Sequence, residues 1–176
     1  SLNREFAEHA SEGRFATALL ATYFAPTDHL ILCNAGHPSP LWWQAGPRRW
    51  SLLNPSHPAA AETLNASSVG VPNLPLGILE PMHYAQFAVP LEPGDQIVFY
   101  TDALIEAAGP GGRSLGDAAG SRDGLRAAVW QHARHPSRGD LDDDATVIGV
   151  RHHANEPPRP SIGERARALS RLIGLR

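Results

Sequence analysis

A carboxylate, Asp102, stands one threonine beyond the apolar run Ile97-Val98-Phe99-Tyr100, and a second apolar run, Ala103-Leu104-Ile105, follows it at once. That placement predicts a half-buried side chain, and a buried carboxylate normally binds a cation or backbone donors. Taken alone, Asp102 also fits a turn residue capping the next segment. Asp142-Asp143-Asp144 precedes Ala145-Thr146 and a strand-like run. Clustered carboxylates repel one another unless a cation offsets them, and hard divalent ions take oxygen ligands of this kind. A solvated acidic turn is the plainer reading of that cluster. Asn34-Ala35-Gly36-His37-Pro38 ends another strand-like run, with His37 either a ligand or a hydrogen-bonded turn residue. Asn73-Leu74-Pro75-Leu76-Gly77-Ile78 is a short apolar re-entry that, alone, reads as structural.

The elements that must position these groups are mostly strands. Leu2, Phe6 and Ala10 recur at helical spacing and end near Gly13. Arg14 to Phe24 reads as a long strand, Pro26-Thr27-Asp28 as a turn, and His29 to Asn34 as the hairpin partner. Two short strands, Pro40 to Gln44 and Trp50 to Leu53, flank the Ala45-Gly46-Pro47 turn. Asn54 to Pro75 is rich in Pro, Ala, Ser and Asn and reads as one long loop. A strand with Phe87 and Val89 on one face spans Tyr84 to Leu91; the Glu92-Pro93-Gly94-Asp95 turn leads into Gln96 to Tyr100. A glycine-rich loop after Glu106, a helix around Asp123 to Ala133 and a last strand, Val147 to Arg151, complete the pattern. The balance predicts an α+β layered domain. From residue 154 a Pro-rich linker leads to a basic amphipathic helix with Ala166, Leu169, Leu172 and Ile173 on one side. The expected division is a domain over 1–153 and a linker with helix over 154–176.

Composition narrows the function classes. With 176 residues there is room for one domain with a core, and 42% hydrophobic with 19% charged residues reads as globular. A net charge of −3 argues against nucleic-acid binding, and no apolar run has a membrane helix's length. One cysteine, Cys33, excludes an internal disulfide and a cysteine-built zinc site and fits a reducing cytoplasm. The nine histidines show no paired zinc-ligand spacing. The chain opens on Ser1 inside a helical pattern, which suggests a fragment of a longer protein.

In order, the motifs are NAGHPSPLWW, LPLGI, LEPGDQIVFYTDALIEA and DDDATVIGV. This series closely resembles the bacterial PPM-type protein serine phosphatases of the sporulation stage II E and sigma-factor-regulator branch, from about Leu2 to Val150. The resemblance implies an antiparallel β-sandwich flanked by helices, holding two Mn²⁺ or Mg²⁺ ions at one end. By position it implies metal ligation by Asp102 and Asp143, with Asp144 the neighbouring candidate. Asn34 and His37 would then lie near the site without being catalytic, and no protein nucleophile would be needed. The implied activity is hydrolysis of phosphoserine or phosphothreonine on a small regulatory phosphoprotein, such as an anti-sigma-factor antagonist.

Two departures from the family pattern stand out. Ala103 occupies the position after the strand-end Asp where the family usually has Gly; a site that needs φ > 0 or close backbone approach there would be strained. The family's first metal-binding segment, Gly-Asp-Val-Ser-Gly-His-Gly, is absent from the 176 residues, so the N-terminal part of the domain is expected to be missing. These departures support two alternatives: a catalytically inactive binding or regulatory module, and a fragment that forms a homodimer to cover unpaired strands.

Overall fold

The computed structural model describes residues 2–9, 13–63, 74–80, 82–106, 124 and 144–153. Two four-stranded antiparallel sheets make up its body. The first contains β1 (Ala18–Phe24), β2 (His29–Ala35), β5 (Ala61–Thr63) and β6 (Gln86–Pro90), in the order β1-β2-β6-β5. The second contains β3 (Leu41–Gln44), β4 (Arg49–Leu52), β7 (Gln96–Tyr100) and β8 (Val147–Arg151), in the order β4-β3-β7-β8. The expected α+β sandwich is therefore present, with α1 (Leu2–His9) and a single turn, α2 (Ala103–Glu106), as its described helices.

The inner faces of the two sheets supply one core. Leu30 and Leu32 from β2 and Phe87 and Val89 from β6 meet Trp42 from β3 and Ile97 from β7, with Leu53 and Leu91 closing the ends. The two-residue spacing within Leu30/Leu32 and within Phe87/Val89 is the strand period that puts both members of each pair on one face. Burying each such side chain contributes about 1.5–3 kcal/mol.

Three expectations need correction or placement. β1 begins at Ala18, four residues later than the pattern suggested; Ala16 instead makes an isolated bridge with Leu76. The expected loop 54–75 contains β5, whose three residues pair with β6 from Ala61↔Ala88 to Thr63↔Gln86. Ala61 and Glu62 disfavour a strand, and the pairing with β6 overrides that preference. The helix expected over 123–133 and the linker and helix over 154–176 lie outside the described residues.

Chain direction decides what meets at each end. β2 leads through Pro40 into β3, which pairs antiparallel with β7, which pairs antiparallel with β8. The last residues of β2, the first of β3, the last of β7 and the first of β8 therefore share one end of the sandwich.

Candidate metal centre

At that end β7 hands over to α2 through Thr101 and Asp102. The β7–β8 ladder runs from Gln96↔Arg151 to Tyr100↔Val147. It continues one step: the Thr101 N–H donates to the Thr146 carbonyl at 3.1 Å. The Thr146 N–H donates at 3.0 Å to the Thr101 hydroxyl, which donates in turn to the Asp144 carbonyl at 3.3 Å. Asp102 and Asp144, 42 positions apart in sequence, are thereby held on adjacent chain segments.

The Asp102 side chain is exposed, against the half-buried position its sequence context suggested. The apolar run beyond it does enter the core, with Ala103 and Leu104 buried. The chain turns at residue 102 so that the carboxylate faces outward while its successors face inward. Its Oδ1 accepts the Ala103 N–H at 3.1 Å, a local bond that orients the group. Ala103 lies in helical conformation and is not among the described non-glycine residues with positive φ, which are Asp28 and Arg48. The positive-φ strain considered for alanine at this position does not arise. Asp144 is exposed. Asp143 lies outside the described residues.

The NAGH segment closes the same end. Asn34 is buried, and its side chain bonds both ways across the turn: Nδ2 donates to the His37 carbonyl and Oδ1 accepts the His37 N–H, each at 2.8 Å. These two bonds satisfy a buried amide that would otherwise be costly. His37 Nδ1 lies 3.1 Å from the Thr17 hydroxyl, so His37 is a hydrogen-bonded turn residue. Gly36 has φ +70°, and a Cβ there would lie 2.6 Å from Pro75 Cγ, which seats NAGH directly on LPLG. Tyr100, whose hydroxyl donates to the Ser39 carbonyl at 2.8 Å, ties β7 to the following loop. Burial pushes the Tyr100 phenol up from its ordinary value and keeps it protonated as a donor.

LPLG is itself anchored by α1. Asn3 Oδ1 accepts the Gly77 N–H at 2.9 Å, and Nδ2 donates to the Leu79 carbonyl at 2.9 Å and the Glu80 carboxylate at 2.7 Å. Gly77 has φ +89°, with Phe6 Cδ1 2.9 Å from where a Cβ would lie. The motifs are linked in space: NAGH is seated on LPLG, the loop after NAGH is tied to β7 through Ser39 and Tyr100, and β7 pairs with β8.

Sequence reasoning passed over two residues. Thr101 joins the two carboxylate-bearing segments, and its only sequence signal is a hydroxyl residue immediately before the strand-end Asp. Among the described residues, Asp95 is the buried carboxylate, at 2% exposure. It lies at the opposite end, where it accepts Trp42 Nε1–H at 3.1 Å, Ala45 N–H at 2.8 Å and Glu92 N–H at 3.0 Å. Its signal was the EPGD turn, read only as a turn.

The donor set at the Asp102 end is carboxylate and carbonyl oxygen, which matches Mg²⁺ or Mn²⁺ and not the thiolate and imidazole sets of structural zinc. Among the described residues, no group of three or more His, Cys, Asp or Glu side chains is gathered tightly enough to hold a metal.

Residues 1–153 match the family model for Stage II sporulation protein E. The chain belongs to the SpoIIE family. Solved structures agree in fold. The RsbU and RsbW domains of a Mycobacterium tuberculosis protein align with 98% of the chain at 24% identity and a TM-score of 0.62. The phosphatase domain of the cell fate determinant SpoIIE from Bacillus subtilis, manganese-presoaked, aligns with 91% at 15% identity and a TM-score of 0.55. The SiaA PP2C domain of Pseudomonas aeruginosa aligns with 85% at 18% identity and a TM-score of 0.57. The SpoIIE-family chain described here spans 48% of the first of these, 68% of the second and 57% of the third. No curated protein sequence matches it. None of the described helices is long and apolar enough to cross a membrane.

Proposed function

We propose that this chain is the metal-ligating C-terminal part of a PPM-type protein serine/threonine phosphatase domain, acting in the cytoplasm on a small regulatory phosphoprotein. The observation that supports this is the Thr101–Thr146 junction, which holds Asp102 and Asp144 on adjacent chain segments in a SpoIIE-family fold. Asp102 and Asp143 are the assigned metal ligands, with Asp144 the neighbouring donor. Bound Mn²⁺ or Mg²⁺ would supply a water of lowered pKa and charge for an in-line attack on phosphorus.

The chain's own residues do the positioning. The Ala103 N–H fixes the Asp102 carboxylate, Thr101 fixes the segment opposite, and Asn34 with Gly36 holds the NAGH turn on LPLG at the rim. None of these is a nucleophile, in keeping with attack by water.

The test is hydrolysis of a phosphoserine protein by the full-length protein in Mn²⁺, beside its Asp102→Asn variant. The expected loss in kcat/KM is about 100-fold or more, as when a group aimed at the transition state is removed. Turnover unaffected by Asp102→Asn refutes the assignment. Binding of the phosphoprotein without turnover by the parent would favour the inactive-module reading.

A further inference from the structure

We infer that Thr101 is a positioning residue that sets the separation between the two carboxylate-bearing segments, an inference that rests on reading Asp102 as a metal ligand. The argument starts from the ladder. In a hydrogen-bonded antiparallel pair each residue both donates its N–H and accepts through its carbonyl. Thr101 and Thr146 stand at such a position, and the Thr101 N–H to Thr146 carbonyl bond is present at 3.1 Å. The return bond is made differently. The Thr101 carbonyl has turned to accept the Leu104 N–H at 3.2 Å, opening the turn of α2. The Thr146 N–H goes instead to the Thr101 hydroxyl at 3.0 Å.

The hydroxyl thus takes the place of a carbonyl in the sheet, and this lets the chain leave β7 for α2 one residue before the pairing with β8 is lost. It also uses its proton, toward the Asp144 carbonyl at 3.3 Å. A hydroxyl offers one donor and two acceptor lone pairs, so one atom can serve both bonds. A side chain without a hydroxyl leaves the Thr146 N–H without its acceptor and the Asp144 carbonyl without this donor. The segment 144–146 then keeps the Thr101 N–H to Thr146 carbonyl bond but loses two of the bonds that fix it relative to Asp102, which sits directly beside the residue that makes them. Thr101 needs no contact with a metal to govern whether two ligand segments can share one.

The experiment is amide NMR of the 176-residue chain titrated with Mn²⁺, comparing Thr101→Val, Thr101→Ala, Thr101→Ser and Asp102→Asn. In the unsubstituted chain, Mn²⁺ is expected to broaden the amides of Ala103 and of 144–146 together. Thr101→Val and Thr101→Ala are expected to raise the Mn²⁺ concentration for half-broadening by about 10- to 100-fold, the usual effect of losing a group that orients a ligand. Thr101→Ser, which keeps the hydroxyl, should stay within about threefold. Hydrogen exchange gives a metal-free readout: protection of the Thr146 amide should fall about tenfold in Thr101→Val, one net hydrogen bond's worth, and survive in Thr101→Ser. Thr101→Ala adds no methyl to accommodate and serves if the valine variant loses its sheet amides.

The arms separate the two ideas. If Asp102→Asn leaves the Mn²⁺ response unchanged, the ligand reading fails and the inference with it. If Asp102→Asn abolishes the response while Thr101→Val and Thr101→Ala retain it, Asp102 stands as a ligand and Thr101 is not a positioning residue. No broadening in the unsubstituted chain overturns both.

Discussion

Replacing Gly36 with alanine probes the joint between NAGH and LPLG. Gly36 holds φ +70°, and the added Cβ would lie 2.6 Å from Pro75 Cγ and 2.8 Å from the Pro75 backbone nitrogen. The left-handed conformation destabilises an L-residue by about 1–2 kcal/mol. Overpacking against a ring tied to the backbone adds about 1–3 kcal/mol, because the backbone nitrogen cannot rotate away. The expected total loss is about 2–5 kcal/mol. Gly13 provides the control, since it holds φ +74° with nothing within 4 Å of its added Cβ. Gly13→Ala should show the conformational part alone, about 1–2 kcal/mol. Urea unfolding followed by fluorescence of the four tryptophans measures both. Removing the ring in a Gly36→Ala, Pro75→Ala double variant should recover part of the loss, with a coupling of about 0.5–3 kcal/mol. Equal losses at positions 36 and 13, with no coupling to Pro75, would refute the packing account of why the two motifs occur together.

Asp95→Ala leaves three N–H donors without their carboxylate, and at about 1–3 kcal/mol each it should destabilise the chain by about 3–9 kcal/mol with little change at the Asp102 end. Asp28 gives a pH signature. The Tyr23 hydroxyl and then His152 hold its carboxyl below the ordinary 3.8, so its contribution is complete above that pH and lost as pH falls through the lowered folded value. Asp28→Asn, which tolerates the φ of +52° there, should flatten the acid limb of the stability curve. The same bond raises the Tyr23 phenol above 10.0, so its contribution is complete below that pH and lost as pH rises through the raised value. The alkaline absorbance titration of Tyr23 should therefore move toward its ordinary position in Asp28→Asn.

The strands that form the core were legible as short apolar runs bounded by turn residues, His29 to Asn34 after Pro26-Thr27-Asp28 and Gln96 to Tyr100 after Glu92-Pro93-Gly94-Asp95. β5 was not legible, because Ala61–Thr63 carries no such run and is a strand only through its pairing with β6. The start of β1 was misplaced for a similar reason. Arg14 to Thr17 has strand-like composition, yet among the described residues it makes only the Ala16 bridge to Leu76. At the candidate site the order of motifs was informative and the state of each side chain was not. Flanking apolar runs suggested a half-buried Asp102, but the chain reverses at that residue and burial passes to Ala103 and Leu104. The carboxylate with a buried, donor-filled environment was Asp95, concealed in a turn because its three donors come from segments up to 53 positions away.

The distance in sequence between Asp102 and Asp144 has no bearing on their distance in space, because sheet pairing fixes the latter. β7 and β8 are joined residue by residue from Gln96↔Arg151 to Tyr100↔Val147, so the two chain ends beyond that ladder must emerge side by side. A one-residue slip would turn every β8 side chain to the other face and shift 144–146 along Asp102 by about 3.4 Å. β8 is exposed along its length, so burial of its own side chains does little to resist such a slip. Resistance has to come from specific bonds at the two ends. At one end the His152 N–H donates to the Asp95 carbonyl at 2.9 Å, and at the other the Thr101 hydroxyl receives the Thr146 N–H. The buried aspartate and the strand-end threonine, neither of which looked chemical in the sequence, are thus the residues next to the bonds that pin the register on which the proposed carboxylate site depends.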